Sequence, residues 1–131
     1  MQTTHNPIGH SDTLFLDRFQ KSADFINAAL VYAHNSHTLE DVLKAVVKGD
    51  AQFWYDKNAA LVTEIIDYPQ RRTLRFWLAG GDLTALKGLE QEAINWSKGW
   101  DCTACEIVGR RGWGRALEDY DEAATIFVKD Y

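Results

Sequence analysis

The sequence has little proline and cysteine, no surplus of positive charge and no long apolar run. Two prolines and two cysteines in 131 residues argue against a proline-rich disordered chain and against a disulfide scaffold. No window approaches the eighteen or more apolar residues that a membrane-spanning helix needs. The formal net charge of −5 has the wrong sign for a general nucleic-acid binder, because phosphates attract a basic surface. We therefore expect neither membrane nor nucleic-acid binding.

Length and composition indicate one folded domain. The chain is 46% hydrophobic and 25% charged, which is typical of a globular protein with a single core. We expect residues 1–21 to form an N-terminal arm that is partly mobile, and residues 22–131 to form the domain. In the arm, Leu14-Phe15-Leu16 and Phe19 are apolar enough to dock, as a short strand or a turn of helix. The first residues carry neither a basic segment nor an apolar run, so we expect no signal peptide and a soluble protein that starts in a cytoplasm.

Hydrophobic periodicity and turn signals predict the element order ααβββαβαβ and therefore an α/β fold. The predicted helices cover residues 22–34, 38–48, 83–98 and 113–118, and the predicted strands cover residues 52–55, 59–66, 72–79, 102–108 and 124–129. Short polar turns join the first three strands, which makes them an antiparallel meander. In the third strand, alternation places Leu74, Phe76 and Leu78 on one face of the sheet.

A strand, a double glycine and a helix form the centre of this pattern. Gly80 and Gly81 follow the third strand directly, and Asp82 precedes the helix that runs from Leu83 to Lys98. In such a unit, backbone amides and the helix dipole can bind an anion. The alternative is that the glycines only end the strand and that Asp82 caps its own helix.

The two cysteines have the C-x-x-C spacing that can indicate zinc or redox chemistry. Cys102 and Cys105 fall inside a predicted strand, where residues three apart point to opposite faces. No second pair completes a structural zinc site. We therefore expect two reduced core thiols and no metal.

The element order resembles that of the GNAT acyltransferases over roughly residues 22–131. Several phrases also look like a family of small GNAT-like proteins encoded by tailed bacteriophages and prophages, namely Val62-Thr63-Glu64-Ile65, Tyr68-Pro69, Trp77 to Leu83, Cys102-Thr103-Ala104 and Gly109 to Trp113. The resemblance implies a single-domain, GNAT-like mixed central sheet flanked by helices. For function it implies a virion structural or assembly component, associated with head or tail, or alternatively an acetyl-CoA-dependent N-acetyltransferase.

The acetyltransferase alternative needs a loop that holds the cofactor. GNAT enzymes bind the pyrophosphate of acetyl-CoA with a loop of the form Arg/Gln-x-x-Gly-x-Gly/Ala, and the resemblance places it at residues 78–83. Leu78 stands where Arg or Gln belongs, Gly81 matches the glycine, and Leu83 stands where a small residue is needed. Because one position of three matches, we expect no cofactor. If acetyl-CoA binds, the contacting residues would be Ala79, Gly80, Gly81 and Asp82.

Two glutamates in predicted strands are candidate general bases if the chain is an enzyme. Burial in a strand can raise the pKa of a carboxylate such as Glu64 or Glu106 into a useful range. The favoured alternative is that both glutamates form ion pairs with arginines, such as Arg75, Arg110 or Arg111.

A tyrosine is the candidate general acid. Many GNAT enzymes take this acid from the last helix, and the resemblance places that position near Arg115, which cannot donate a proton at neutral pH. Tyr120 lies close by and could replace it. A packing role for this aromatic residue is the alternative.

A basic, glycine-rich segment is the candidate partner-binding site. Arg110, Arg111, Trp113 and Arg115 are of the residue types enriched at interface hot spots. An acidic run at residues 118–122 provides the opposite charge on the same chain, which suits head-to-tail association. We therefore expect self-association or binding to other phage structural proteins, in a virion or a host cytoplasm.

Overall fold

The computed structural model describes residues 6–9, 11–108, 119–121, 123 and 127–131. Its elements, in chain order, are α1 (Phe15–Lys21), α2 (Ala23–Tyr32), α3 (Leu39–Lys48), β1 (Gln52–Asp56), β2 (Ala59–Tyr68), β3 (Arg71–Gly81), α4 (Leu83–Lys98) and β4 (Ala104–Ile107). The predicted short helix at 113–118 lies outside the described residues, as does half of the predicted strand at 124–129. Residues 127–131 form no regular element, and Val128 is exposed.

Within the described residues, the sheet has four strands in the order β1-β2-β3-β4. β1, β2 and β3 pair antiparallel, and β4 pairs parallel with β3 after the crossover through α4. The structure therefore confirms the predicted mixed α/β domain and its antiparallel meander. Within the described part of the chain, no helix is long and apolar enough to cross a membrane.

Each face of the sheet is covered by its own apolar cluster. On one face, α1, α2 and α3 pack over residues that include Phe53, Val62 and Leu78. On the other, α4 places Leu86, Leu89 and Ala93 against buried side chains of all four strands or their flanks. Burial of these side chains is the main stabilising contribution, because each removes apolar surface from water.

The predicted end of α3 and the predicted caps of α3 and α4 are present. The Thr38 hydroxyl accepts a hydrogen bond from the Asp41 amide and the Asp41 carboxylate accepts one from the Thr38 amide, which is a capping box. Gly49 ends α3 with φ at 85°, a left-handed conformation that favours glycine. Asp82 caps α4 by accepting a hydrogen bond from the Ala85 amide at 3.0 Å.

The predicted alternation along β3 is wrong after Phe76. Val62 pairs with Leu78 and Thr63 pairs with Phe76, so Trp77 is an extra residue with no partner in β2. This β-bulge puts two consecutive residues on one face. As a result Phe76 faces α4, whereas Leu78 packs in the cluster under α1–α3.

The core begins before residue 22. Residues 15–21 of the expected arm form α1, and Phe15 and Phe19 are buried against Phe53. Ile8 also contacts this cluster, and its amide donates a hydrogen bond to the Phe53 carbonyl at 2.8 Å. This bond occupies part of the outer edge of β1.

The cysteines are free, but the strand argument used to separate them does not apply. β4 begins at Ala104, so Cys102 lies before the strand rather than in it. Cys102 is buried, Cys105 is half-buried, and both contact the cluster on the α4 side.

Candidate functional site

The glycine turn between β3 and α4 is tightly packed against its neighbours. A Cβ atom added to Gly80 would lie 2.6 Å from the backbone oxygen of Phe25, because α2 crosses β3 directly at this point. Gly81 has φ at 114°, and a Cβ there would lie 2.6 Å from the Cα of Ala59 in the neighbouring strand. Packing of the backbone against α2 and β2 therefore accounts for both glycines.

The polar groups of this turn already have partners inside the protein. The Asp82 amide donates to the Asn58 carbonyl at 2.9 Å, and the Asp82 carboxylate accepts from the Ala85 amide. The carboxylate thus lies at the N-terminus of α4, where the helix dipole favours a negative charge. An anionic ligand at this helix end would meet a carboxylate that is already in place.

Three charged side chains lie in register across the sheet, on the face that also carries α1–α3. Glu64 on β2 is paired with Arg75 on β3, which in turn is paired with Glu106 on β4. The Arg75 Nε donates to Glu106 Oε2 at 2.8 Å, and Nη1 lies 3.6 Å from Glu64 Oε2. We call these three residues the charged row. Both candidate bases are therefore paired with Arg75, as the favoured interpretation of the sequence expects.

Tyr68 completes the hydrogen bonding at one end of the charged row. Its hydroxyl lies 2.9 and 3.1 Å from the two carboxylate oxygens of Glu106 and accepts from Arg75 Nη2 at 3.3 Å. Burial by itself lowers the pKa of Arg75. The hydrogen bonds to Glu106 and Tyr68, together with the negative charges of Glu106 and Glu64, outweigh burial, so the pKa of Arg75 is raised overall. Arg75 is consequently charged throughout the working pH range.

Tyr120 lies on the opposite face, against α4. Its hydroxyl donates to Glu90 Oε2 at 2.5 Å and lies 3.3 Å from Cys105 Sγ. Burial raises the pKa of Tyr120, and the hydrogen bonds to Cys105 and Glu90 raise it further. Burial also raises the pKa of the Cys105 thiol. Both groups therefore stay protonated at neutral pH, and Tyr120 is separated by the sheet from Glu64 and Glu106.

The predicted partner-binding residues Arg110, Arg111, Trp113 and Arg115 lie outside the described residues. Among the residues that are described, no group of three His, Cys, Asp or Glu side chains could hold a metal ion.

Sequence reasoning missed Glu90, Tyr68 and Cys105 as partners of the candidate residues. Glu90 follows the buried Leu89 and lies at the edge of the apolar stripe of α4, so its position signals partial burial but not its partner. Tyr68 reaches Glu106 across 38 positions of sequence. That contact depends on the parallel pairing of β3 with β4, which spacing alone does not reveal.

The three-strand meander, the crossover through α4 and the parallel fourth strand define a GNAT-like fold. Solved structures of acetyltransferase-like proteins share this fold. No protein-family model matches the chain, and no curated protein matches it.

An aminoglycoside acetyltransferase from an uncultured soil metagenomic sample, meta-AAC0020 in complex with sisomicin, superposes with a TM-score of 0.66 at 10% identity, over 95% of this chain and 93% of that one. A tetramutant of the BH1408 protein from Bacillus halodurans gives a TM-score of 0.63 at 12% identity, over 87% and 95%. Wild-type TTHA1254 from Thermus thermophilus gives 0.57 at 8% identity, over 88% and 91%. At these identities the likeness concerns the fold alone.

Proposed function

We propose that this chain is a GNAT-fold protein that lacks a working cofactor clamp and acts through protein–protein contacts, as a structural or assembly component. The observation that carries the proposal is the turn at Gly80, Gly81 and Asp82. Its glycines are required by α2 and β2, and its helix end is occupied by the carboxylate of Asp82.

Electrostatics support this interpretation of the turn. A phosphate charge placed about 5 Å from the Asp82 carboxylate would meet a repulsion of about 3 kcal/mol at an effective dielectric constant of about 20. The Asp82 amide, which could otherwise donate to a phosphate, is bonded to Asn58. Leu78, which stands where a GNAT clamp has Arg or Gln, is buried in the core and offers no polar group.

The charges of the two candidate bases also favour a structural role. Glu64 and Glu106 both pair with the guanidinium of Arg75, so each carboxylate already has a cationic partner within the protein. We place the partner contact on Arg110, Arg111, Trp113 and Arg115. The resemblance of several sequence phrases to phage-encoded proteins makes another phage structural protein, or a second copy of the chain, the partner to test.

The test is titration calorimetry of the purified chain with acetyl-CoA and with CoA, with the mass measured in parallel by light scattering. We expect no heat of binding from either ligand. Changing Arg110, Arg111 and Trp113 together to Ala should reduce association with a partner or with itself. Micromolar binding of acetyl-CoA, or acetylation of an amine, would refute the proposal.

An acetyl-CoA-dependent N-acetyltransferase is the second candidate, and Tyr120 is its candidate general acid. The hydroxyl carries a proton at neutral pH, as any tyrosine does, but it already donates that proton to Glu90, and burial raises its pKa further from neutrality. Both features make Tyr120 a weaker acid, which is why this candidate ranks second. On this candidate, Tyr120→Phe abolishes acetyl transfer without weakening acetyl-CoA binding. An equal loss of binding and turnover would instead indicate a packing role.

A further inference from the structure

The side chain of Arg18 is held over the ring of Tyr55 at the outer edge of the sheet. Phe15 is buried against Phe53 of β1, and Arg18 follows Phe15 by three residues, so both lie on the same side of α1. Tyr55 follows Phe53 by two residues and shares its face of the sheet. The guanidinium of Arg18 therefore lies 4.7 Å from the centre of the Tyr55 ring, and the residue is half-buried.

This guanidinium has no counter-ion among the described residues, and no carboxylate or carbonyl there accepts a hydrogen bond from its N–H groups. By contrast, Arg72 and Arg75 both pair with carboxylates. The neighbouring Asp17 pairs with Lys21 instead, at 3.1 Å. Stacking on a ring leaves the N–H edge of a guanidinium free, and that edge matches the two oxygens of a carboxylate. Arg18 is thus an oriented cation that can still take a carboxylate, in a chain whose net charge is −5.

Two exposed carboxylates lie at the opposite side of the domain. Asp119 and Asp121 flank Tyr120 in sequence, and both are exposed. In the part of the chain that the structure describes, neither aspartate forms an ion pair. The Tyr120 hydroxyl contacts Glu90 of α4 and Cys105 of β4. These contacts anchor the backbone between the two aspartates, so the domain presents both carboxylates from a fixed point.

Arg18 and these aspartates lie too far apart to meet within one chain. The strands β1 and β4 are the two edges of the described sheet, and three strand spacings separate them by about 14 Å. The Tyr55 ring under Arg18 belongs to the face that α1–α3 cover, whereas Tyr120 belongs to the face that α4 covers. Opposite charges at opposite corners of one molecule are complementary when a second copy follows the first head to tail.

We propose that Arg18, stacked on Tyr55, binds the carboxylates of Asp119 and Asp121 of a second copy, so that the chain associates head to tail. This inference rests on the proposed function, because it names a contact through which the chain would associate. Its acidic side is part of the acidic run at residues 118–122, for which the sequence predicts such a role. Its basic side is distinct from the segment at residues 110–115.

A head-to-tail contact of this kind does not stop at two copies. Each pair leaves a free Arg18 on one copy and two free aspartates on the other, so further copies add until a ring closes or a chain of copies grows. The mean mass of the protein should therefore rise steadily with concentration and exceed the mass of two copies. A contact with two-fold symmetry would use both sites of each copy and end at a dimer.

The test is sedimentation equilibrium of the full chain at concentrations up to about 1 mM, because a contact made mainly by ion pairs gives a dissociation constant on the order of 0.1–1 mM. Arg18→Gln should weaken association by about tenfold, and so should the double variant Asp119→Asn with Asp121→Asn, because each removes one side of the charge contact. Arg71→Gln is the matched control and should change nothing. Arg71 is an exposed arginine that also stacks on a tyrosine, with its guanidinium 5.8 Å from the ring centre of Tyr68.

Mixing the two weakened proteins tests which sites meet. Arg18→Gln retains both aspartates and the double variant retains Arg18, so an equal mixture can form one intact contact per pair of chains. The mixture should associate with the affinity of the unaltered chain and stop at two copies. A circular-dichroism spectrum of each variant confirms that it is folded, and the double variant tests the contact independently of any effect of Arg18→Gln on the docking of α1.

A mean mass of one chain over the whole concentration range would overturn the proposal, as would undiminished association of either variant or a final mass of two copies for the unaltered chain. Each of these results would leave the proposed function standing, with a different partner or a different surface. Acetyl-CoA binding in the calorimetric test would instead remove the proposed function, while sedimentation still reported on the contact between copies.

Discussion

Replacing Gly81 with alanine tests whether packing, rather than a ligand, requires glycine at the end of β3. The backbone φ of 114° lies outside the conformations that an L-residue adopts readily, and such strain costs about 1–3 kcal/mol. The new methyl group would also lie 2.6 Å from the Cα and 3.0 Å from the Cβ of Ala59. These atoms belong to a paired strand and cannot move aside as a flexible side chain could.

Overpacking of this kind adds about 1–3 kcal/mol, so we expect Gly81→Ala to lower the free energy of unfolding by about 2–6 kcal/mol. For a domain of this length, each kcal/mol corresponds to roughly 3–5 °C in the midpoint of thermal unfolding. The midpoint should therefore fall by roughly 6 °C or more, which circular dichroism measures readily. Urea unfolding followed by tryptophan fluorescence gives the free energy directly.

Gly88 in α4 provides the matched control. A Cβ added there would have no heavy atom within 4 Å, and its backbone is helical. Gly88→Ala should therefore stabilise the protein by about 0.5–1 kcal/mol, because alanine loses less backbone entropy in a helix. If the free energy of unfolding of Gly81→Ala lies within about 0.5 kcal/mol of that of the unaltered chain, the packing argument is wrong. A ligand would then be the better explanation for glycine at this position.

Two further changes test the buried polar contacts. Thr63→Val removes the hydroxyl that accepts from the Trp54 indole at 3.0 Å and donates to Gln52 Oε1 at 2.8 Å. The buried indole N–H is then unpaired, which should lower the free energy of unfolding, measured in urea, by about 1–3 kcal/mol. An unchanged free energy of unfolding would mean that another acceptor replaces the hydroxyl. The raised pKa of Tyr120 predicts loss of stability at alkaline pH, because above about pH 10 the unfolded chain releases the phenol proton while the folded chain keeps it. Stability should therefore fall more steeply with pH above about 10 in the unaltered chain than in Tyr120→Phe, and identical slopes in a urea series at several pH values would contradict that assignment.

Periodicity predicted the meander, the long helix and both helix caps because these features depend on local pattern. The apolar spacing of α4 and the capping residues Thr38 and Asp82 act over three or four positions, which a sequence displays directly. The helix α1 was harder, because the short segment around Leu14, Phe15, Leu16 and Phe19 shows no clear period. Phe15 and Phe19 are buried against Phe53, whereas Leu14 and Leu16 are exposed, and only the contact with Phe53 separates the two pairs.

The candidate site was predictable in its parts and not in its arrangement. Residue type predicted that each glutamate pairs with an arginine and left Arg75, Arg110 and Arg111 as candidates. That Glu106 pairs with Arg75 follows from the parallel pairing of β3 with β4, two strands that the whole of α4 separates in sequence. The partnership of Tyr120 with Glu90 depends on where the chain returns after residue 118. No local pattern encodes such long-range contacts. The entropy lost when the intervening chain closes and the free energy gained by the contact both depend on the assembled sheet.

The bulge at Trp77 decides which residue of the turn meets α2. With strict alternation along β3, Ala79 would face Phe25 and its methyl group would occupy the place where the two backbones now touch. The extra residue shifts the phase by one position, so that Gly80 lies under the helix and Ala79 turns toward α4. An insertion or deletion of one residue between Trp77 and Gly81 would reverse that assignment. Aligning this chain with another GNAT-like sequence therefore requires that the bulge, rather than the glycines, be matched first.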